Sequence, residues 1–366
     1  MKVALDVSAM PPRLAGAGRY VAELAQRLPL STDVTLVTRR DDGPRWQSMS
    51  TATVTSPVPA GRAGRLAYEA LLLGRSAVAR HTDVWHAPHY TMPRTGTRPT
   101  VVTIHDLTFF TNPEWHEARK VAFFTRAIRY ASRHADVLVC VSEFTKAQLA
   151  EWAPTSRPVV VAPHGVDLAR FLPRSAAETP PALPSTAPYI LFVGTFEPRK
   201  GIDVLLEAFS LVASRHDEVE LWLAGQPGWG MADAEQQLAQ HPFAARIRRL
   251  GFVSDELLPE LYRRASVVAY PSRGEGFGLP VLEALACGAT VVTSSDTVMA
   301  EVAGDAALFA PVGDSEALAG AIDSSITASD DQRQEWSRAA VAQAATFTWE
   351  RSIARHLEAY ALAVGA

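Results

Sequence analysis

The sequence predicts an α/β protein with two doubly wound domains, each a parallel sheet with helices on both faces. Short apolar runs rich in β-branched residues alternate with helical patterns along both halves of the chain. These runs are apolar almost throughout, as expected for parallel strands that are buried on both faces. The length of 366 residues also favours two domains, because one domain usually holds about 100–200 residues.

The strands and helices follow one another in the same way in both halves. The first half predicts strands at Lys2–Val7, Val34–Thr38, Val84–Ala87, Thr100–Ile104, Val137–Val141 and Val159–Ala162, and helices at Ala17–Leu28, Leu66–Arg80, Glu114–His134 and Glu143–Trp152. The second half predicts strands at Tyr189–Val193, Glu220–Ala224, Val267–Tyr270 and Thr290–Thr293, with helices such as Gly201–Ser214 and Leu279–Cys287. Ligands of such sheets bind outside the carboxyl ends of the strands, so we expect functional residues in the strand-to-helix loops.

A proline-rich segment, residues 173–188, predicts the linker between the domains, because proline continues neither a helix nor a central strand. The expected organisation is a first domain over 1–172, this linker, a second domain over 189–348 and a C-terminal helix within 349–366. Cys140 and Cys287 are too few for a disulfide framework, which favours a reducing compartment. No cleavable signal and no apolar run of about 18–20 residues are found, so we expect a cytoplasmic protein.

The charge of the chain is divided unevenly between the halves. Residues 1–172 contain 21 Lys and Arg against 14 Asp and Glu, a net of +7, and residues 173–366 contain 14 against 25, a net of −11. The overall charge of −4 hides this difference. A basic half indicates an anionic partner such as lipid, phosphate or nucleic acid, although unrelated surface charges on two domains are an equal alternative. The acidic second half disfavours a nucleic-acid-binding protein.

In each half of the chain, a glycine-containing loop follows the first strand. Gly16 and Gly18 lie where the first loop leads into the first helix. Backbone N–H groups can approach an anion there, or the loop is simply flexible. Val21 breaks the Gly-x-Gly-x-x-Gly pattern, so a dinucleotide site is disfavoured. In the second half, Arg199 and Lys200 stand before a helix, where a diphosphate would find two cations and a helix N-terminus. An exposed basic pair at a turn is the alternative.

A third loop, residues 271–284, combines three glycines with two glutamates. Glu275 lies between glycines, and Glu283 lies about one turn inside the following helix. Carboxylates accept hydrogen bonds from vicinal hydroxyls, so the two can bind separate parts of one extended ligand such as a sugar and a ribose. The amides of Phe277, Gly278 and Leu279 can bind phosphate. For Glu283, an ordinary exposed helix residue is the alternative.

These motifs resemble one known family. The run GEGFGLPVLEALACGATVV resembles the Glu-x7-Glu signature of the retaining glycosyltransferases of family 4, and VGTFEPRKGIDVLLEAF resembles their donor-phosphate loop. GFVSDELLPELYRRASVVAYPS, DVSAMPPRLAGAGRY and HDLTFFTNPEWH are also similar to segments of that family. The resemblance implies the GT-B fold, with two Rossmann-like domains facing a cleft and a C-terminal helix crossing back to the first domain. GTFEPRKG and HDLTFFTNPEWH look closest to members that transfer mannose or rhamnose.

The resemblance also implies a role for each site residue. Arg199 and Lys200 would bind the donor diphosphate, Glu275 the sugar 3- and 4-hydroxyls, Glu283 the ribose, and the Phe277, Gly278 and Leu279 amides phosphate or sugar. Phe252 and Val253 would border the base, Gly194 and Thr195 belong to the donor loop, His105 would lie beside the transferred sugar, and Gly16 and Gly18 would face the phosphates. Two positions depart from the pattern: Thr195 replaces an additional arginine of some relatives, and Gly201 replaces a frequent Asn.

The sequence contains no Asp-x-Asp motif, which commonly binds the metal of glycosyltransferases. We therefore expect metal-independent transfer without a cofactor, with Arg199, Lys200 and helix N-termini stabilising the departing diphosphate. No carboxylate can be named as a nucleophile for double displacement. The resemblance implies same-face attack, in which the leaving phosphate helps to deprotonate the acceptor.

The helix predicted over Glu114–His134 is basic and amphipathic. Arg119, Arg126, Arg129 and Arg133 recur at helical spacing, which suits an anionic membrane surface on the inner face of the membrane or a lipid-phosphate acceptor. A solvated helix face with an ordinary core side is the alternative.

The leading hypothesis is a glycosyltransferase that moves a hexose, mannose from GDP-mannose first, from a nucleotide sugar to a glycan, glycolipid or lipid-linked acceptor of the cell envelope. A rhamnosyl- or glucosyltransferase of the same fold stays open. A sugar-nucleotide epimerase or phosphorylase and a noncatalytic nucleotide-sugar-binding protein are further alternatives. For a phosphorylase, none of Lys2, Lys120 and Lys146 is convincingly placed to carry pyridoxal phosphate.

Overall fold

The chain forms two compact units in a computed structural model. The structure describes residues 1–12, 16–96, 99–174, 183–228, 230 and 232–365, without the side chains of 232–234. The first unit comprises Met1–Pro113, Ala118–Gly165 and Trp349–Ala366, and the second comprises Glu114–Glu117 and Val166–Thr348. Half of the predicted linker, residues 175–182, lies outside the described residues.

The sheet of the first unit contains seven parallel strands in the described residues. They are β1 (Lys2–Asp6), β2 (Asp33–Arg39), β3 (Thr53–Val58), β4 (Val84–Ala87), β5 (Thr100–Ile104), β6 (Val137–Cys140) and β7 (Val159–Val161). Their order across the sheet is β3-β2-β1-β4-β5-β6-β7. The six predicted strands are confirmed, and β3 was not predicted.

The sheet of the second unit contains six parallel strands within the described ranges. They are β8 (Tyr189–Val193), β9 (Glu220–Ala224), β10 (Ile247–Gly251), β11 (Val267–Tyr270), β12 (Val291–Ser294) and β13 (Leu308–Ala310). Their order is β10-β9-β8-β11-β12-β13. In both sheets the chain moves outward from a central strand in two directions, which confirms the predicted doubly wound architecture.

Helices connect the strands in both units. In chain order they are α1 (Ala17–Arg27), α2 (Gly43–Met49), α3 (Arg62–Leu71), α4 (Ala77–Arg80), α5 (Thr108–Thr111), α6 (Ala118–His134), α7 (Glu143–Trp152), α8 (Ile202–Ala213), α9 (Ala232–Gln240), α10 (Leu258–Arg264), α11 (Leu279–Ala286), α12 (Val298–Ala303), α13 (Ser315–Thr327), α14 (Asp330–Ala344) and α15 (Trp349–Gly365). Among the described helices, none is long and apolar enough to cross a membrane.

Two predicted helices are wrong in their extent. The helix predicted over Leu66–Arg80 instead spans Arg62–Leu71 and is followed by a 3₁₀ turn over Leu73–Arg75. Gly74 lets this turn pack on the backbone of Thr95, because an added Cβ would lie 1.5 Å from the Thr95 carbonyl oxygen. Ser76 then caps a separate helix by accepting a hydrogen bond from the Ala79 amide at 3.2 Å.

The helix predicted over Glu114–His134 begins only at Ala118. Pro113 opens a single 3₁₀ turn over Pro113–Trp115 instead. Proline lacks an N–H and favours the first turn of a helix, so the turn can start there.

The C-terminal helix α15 belongs to the core of the first unit, as predicted. Trp349, Ile353 and Tyr360 are buried in one core cluster with Val84 of β4 and Val139 of β6. Buried hydrogen bonds fix the helix further: the Tyr360 hydroxyl lies 2.8 Å from His86 Nδ1, and His356 Nε2 lies 2.7 Å from the Tyr20 hydroxyl. Because unpaired buried polar groups are destabilising, these hydrogen bonds favour a single position of α15 on the sheet.

Candidate functional site

The loop after β8 brings Arg199 and Lys200 to the carboxyl end of the second sheet. Pro198–Lys200 forms one 3₁₀ turn, and α8 follows from Gly201, whose φ of +68° is in the left-handed region. A Cβ on Gly201 would lie 2.1 Å from the carbonyl oxygen of Pro271. Glycine therefore allows this loop to contact the loop after β11, and the Asn frequent in similar sequences would clash here.

The carboxylate of Glu275 lies between the two predicted phosphate-binding cations. Its Oε1 forms an ion pair with Lys200 Nζ, and its Oε2 lies 2.5 Å from an Arg199 nitrogen. The Tyr270 and Ser272 hydroxyls donate to Oε1 at 2.9 and 3.1 Å. We call Arg199, Lys200, Tyr270, Ser272 and Glu275 the Glu275 cluster. The structure thus joins residues that the sequence placed in two separate loops.

Burial and charge together set the ionisation of this cluster. Lys200 is 7% exposed and Glu275 is 9% exposed. Burial raises the pKa of Glu275, but Arg199 and Lys200 outweigh it and lower the pKa to about 2. Burial and repulsion by Arg199 lower the pKa of Lys200, and Glu275 opposes that shift. Glu275 is therefore ionised at neutral pH and favours the charged form of Lys200.

Further polar residues, which were not predicted, position the cluster. Arg273 forms two hydrogen bonds to the Asp203 carboxylate, at 2.8 and 2.6 Å, and so ties its own loop to α8. The Ser272 hydroxyl oxygen also lies 3.0 Å from the carbonyl oxygen of Arg199, an alternative acceptor for its one proton. The sequence does contain a signal for these residues. Tyr270 ends the apolar strand β11, and Ser272 and Arg273 follow it, at the carboxyl edge where such sheets bind ligands.

The helix α11 begins at the predicted phosphate-binding amides. Gly278 precedes it with a φ of +101°, and a Cβ there would lie 2.5 Å from the Met299 methyl group. Leu279 is the first helical residue, and the first amides of a helix have no acceptor within it. Phe277 is buried beside the ring of Phe347.

Glu283 is buried on the inner side of α11 and accepts a hydrogen bond from the Tyr262 hydroxyl at 3.1 Å. An ordinary exposed helix glutamate, the alternative left open by the sequence, is therefore wrong for Glu283. A carboxylate with at least one fixed donor is positioned for a further polar ligand.

The remaining predicted donor residues lie at the same edge of the second sheet. Gly194 follows β8, and its amide donates to the Ala224 carbonyl at 2.9 Å, so Thr195 is presented at the strand end. Phe252 and Val253 follow β10, and the Phe252 ring is exposed. An exposed ring at a strand's carboxyl end can stack on a nucleobase.

The predicted residues of the first unit, His105, Gly16 and Gly18, belong to a different compact unit from the Glu275 cluster. His105 follows β5, is buried, and contacts the Pro88 carbonyl through Nε2 at 2.8 Å. Burial lowers its pKa, although Pro88 and Asp106 oppose the shift. Asp106 instead accepts hydrogen bonds from Thr108, consistent with the expectation that His105 and Asp106 form no dyad.

The glycines at the start of α1 differ from each other. Gly16 is exposed, has a φ of +48° and has no atom within 4 Å of an added Cβ, whereas Gly18 is buried inside the first helical turn. Of these two glycines, Gly16 is thus the one with an open backbone.

The arginines of the predicted basic face are exposed on α6, whereas Ile128, Ala131 and Ser132 are buried. In the described part of the chain, no three His, Cys, Asp or Glu side chains are grouped so that they could bind a metal ion.

The comparisons with known proteins assign the fold and the class. A family model described as Glycosyltransferase Family 4 matches residues 14–170, and one described as Glycosyl transferases group 1 matches residues 174–343. The O-antigen chain mannosyltransferase B of Escherichia coli is 32% identical over 383 residues, which cover 99% of this chain and 100% of that protein. The fold and the donor-side motifs define a glycosyltransferase. The chain belongs to glycosyltransferase family 4, and its second half matches the group 1 domain.

Solved structures confirm the GT-B fold. The sucrose-phosphate synthase of Thermosynechococcus elongatus has a TM-score of 0.78 at 21% identity and covers 98% of both chains. The HepE protein of Anabaena, in complex with UDP and glucose, has a TM-score of 0.74 at 20% identity with the same coverage. Identities of this size are evidence for the fold alone.

Proposed function

We propose that this protein is a retaining, metal-independent transferase that moves a hexose from a nucleotide sugar to a glycan, glycolipid or lipid-linked acceptor. Mannose from GDP-mannose is the proposed donor, and cell-envelope polysaccharide synthesis is the proposed setting. The name of the mannosyltransferase similar over 99% of this chain supports the sugar and the setting. No metal or cofactor is required in this proposal.

The Glu275 cluster is the observation that carries the proposal. Arg199 and Lys200 converge on one point at the carboxyl end of β8 and β11, beside the start of α8. A diphosphate would replace Glu275 as the partner of Arg199 and Lys200, because it carries more negative charge than one carboxylate. Glu275 would then be free to accept hydrogen bonds from the hydroxyls of the sugar.

The chemistry follows from stabilisation of the leaving group. The bond from the anomeric carbon to the diphosphate breaks as the acceptor oxygen bonds to the same face of that carbon. The acceptor's hydroxyl proton passes to the departing phosphate oxygen. Arg199, Lys200 and the amides before α11 stabilise the negative charge that develops there. His105, neutral because burial lowers its pKa, is proposed to contact the transferred sugar.

The first unit is proposed to bind the acceptor. Its basic helix α6 presents exposed arginines that suit an anionic membrane surface, so peripheral contact with the inner face of the membrane is part of the proposal. The proposed localisation is cytoplasmic, and nucleic acid is not a proposed partner.

A donor panel with purified protein and excess chelator tests the proposal. GDP-mannose, GDP-rhamnose, UDP-glucose and dTDP-rhamnose are incubated with lipid-linked and free glycan acceptors, and nucleoside diphosphate release and product anomer are measured. We expect acceptor-dependent release of GDP and a product that keeps the donor's anomeric configuration. Inactivity with every donor, strict metal dependence or an inverted product would contradict the proposal.

A further inference from the structure

A cavity of about 300 Å³ lies within the first unit, beyond the carboxyl ends of four neighbouring strands. Ala9 follows β1, Arg39 ends β2, Ala60 follows β3 and His89 follows β4, and all four residues line the cavity. These strands are adjacent in the order β3-β2-β1-β4. The cavity therefore occupies the edge at which doubly wound sheets bind ligands.

Arginine dominates the polar lining of this cavity. Arg39, Arg62 and Arg65 line it, and no Asp or Glu is among the described residues of the lining. We call this cavity the arginine pocket. Because three arginines contribute to the described lining and no carboxylate does, the pocket is chemically suited to an anion.

The three arginines differ in what they already contact. Arg39 donates to the Met10 carbonyl at 2.9 Å and lies near Asp41 and Asp42, so it mainly positions the loop after β1. Arg65 donates to Glu69 at 2.7 Å, which fixes one side of its guanidinium.

Arg62 opens α3 at the rim of the arginine pocket. Its side chain is exposed and, among the described residues, forms no hydrogen bond or ion pair. It is therefore the arginine most available to a ligand.

The other walls suit a sugar rather than a bare ion. Phe123 and Phe124 of α6 and Leu66 of α3 add apolar side chains to the lining. Burial and repulsion by His105 and Arg65 lower the pKa of His89 to about 3, so its ring is neutral at neutral pH and offers a hydrogen bond without charge. Small-molecule sites commonly combine apolar walls with a few polar groups and enclose about 300–1,000 Å³.

We propose that the arginine pocket binds the phosphate of a phosphorylated acceptor saccharide, with Arg62 and Arg65 as its principal ligands. The proposal rests on the proposed function and names the acceptor's chemical class. The phosphate can belong to a soluble sugar phosphate or to a lipid-linked sugar, since both present the same group. The pocket is at the small end of ligand sites, which suits a sugar phosphate better than a nucleotide sugar.

Calorimetric titration of mannose 6-phosphate tests the soluble source, with uncharged methyl mannoside as the ligand control. Sedimentation with phosphatidylcholine vesicles carrying a polyprenyl-phosphate-linked sugar tests the lipid source. Arg62→Ala is compared with Arg157→Ala, an exposed arginine of the same unit outside the pocket. We expect Arg62→Ala to weaken binding in at least one arm about tenfold, as one charged hydrogen-bonding partner is lost, and Arg157→Ala to leave it unchanged.

Lys200→Ala separates this proposal from the donor site. Binding that survives Lys200→Ala but not Arg62→Ala supports the arginine pocket, even if no donor in the panel is turned over. Binding lost only in Lys200→Ala places the phosphate at the Glu275 cluster and overturns the inference. The inference is also overturned if Arg62→Ala and Arg157→Ala bind equally, if methyl mannoside binds as well as its phosphate, or if neither arm shows binding. Melting temperatures of all variants check that the fold is retained.

Discussion

The Glu275 cluster and the arginine pocket are both cationic sites at the carboxyl edge of a parallel sheet, but they differ in how their charge is balanced. In the cluster, Lys200 is buried, Arg199 is partly buried, and both are paired with one buried carboxylate. In the arginine pocket, Arg62 is exposed and has no described partner. A buried pair is preorganised and sensitive to the loss of any member, whereas an exposed cation tolerates substitution and acts mainly on ligand affinity.

The largest expected effect comes from removing the carboxylate of the cluster. In Glu275→Gln, Arg199 and Lys200 lose their shared counter-charge, and the sugar loses a charged acceptor. We expect kcat/KM for transfer to fall about 10²–10³-fold, and the free energy of unfolding to fall by about 3–5 kcal/mol. Steady-state kinetics and urea unfolding measure the two.

The control for that variant is Glu197→Gln, because Glu197 contacts Arg199 at 2.9 Å and is more exposed than Glu275. If both variants lose activity equally, the cluster depends on general negative charge rather than on the position of Glu275.

The stabilising contribution of Glu275 should depend on pH in a defined window. Its pKa is lowered from 4.5 to about 2 in the folded protein, so its contribution is fully present above pH 4.5 and is lost as the pH falls towards 2. We expect the difference in unfolding free energy between wild type and Glu275→Gln to be constant from pH 7 to 5 and smaller at pH 3. An unchanged difference at pH 3 would show that the ion pairs do not carry the stability.

A backbone substitution should separate loop geometry from charge. Gly201→Ala places a Cβ 2.1 Å from the Pro271 carbonyl oxygen at a positive φ, so we expect it to lower the unfolding free energy by about 1–3 kcal/mol and to weaken donor binding. Gly320→Ala in α13 is the matched control, since an added Cβ meets nothing within 4 Å there. It should stabilise the protein by about 0.5–1 kcal/mol. Equal melting temperatures of the two variants would contradict this account of Gly201.

The smallest effect is expected for Tyr262→Phe, which removes the hydroxyl that donates to Glu283. One lost hydrogen bond of about 1 kcal/mol should raise KM for the donor about fivefold, with little change in kcat. Tyr189→Phe is the control, because its hydroxyl donates to the Leu261 carbonyl instead. A change in kcat alone would argue against a binding role for Glu283.

The sequence predicted the central strands but missed three of the four sheet edges. Strands β3, β10 and β13 are the unpredicted strands, and each lies at an edge. An edge strand needs an apolar pattern on less of its surface, so β10, Ile247–Gly251, carries two arginines and β3 contains Pro57. Apolar runs therefore identify central strands more readily than edge strands, among which the apolar β7, Val159–Val161, was predicted.

The two sites also differ in how far the sequence predicts them. Arg199, Lys200 and Glu275 could be predicted because two continuous motifs contain them, although their direct pairing required the structure. The arginine pocket gave no motif, because its lining comes from loops after four strands that are distant in sequence.

The most direct test of the central claim is the affinity of GDP for the wild-type protein and for Lys200→Ala, measured by calorimetry in excess chelator. If the Glu275 cluster is the donor-diphosphate site, wild type binds GDP without metal and Lys200→Ala binds it at least about tenfold more weakly. Equal GDP affinity in the two proteins would contradict the claim.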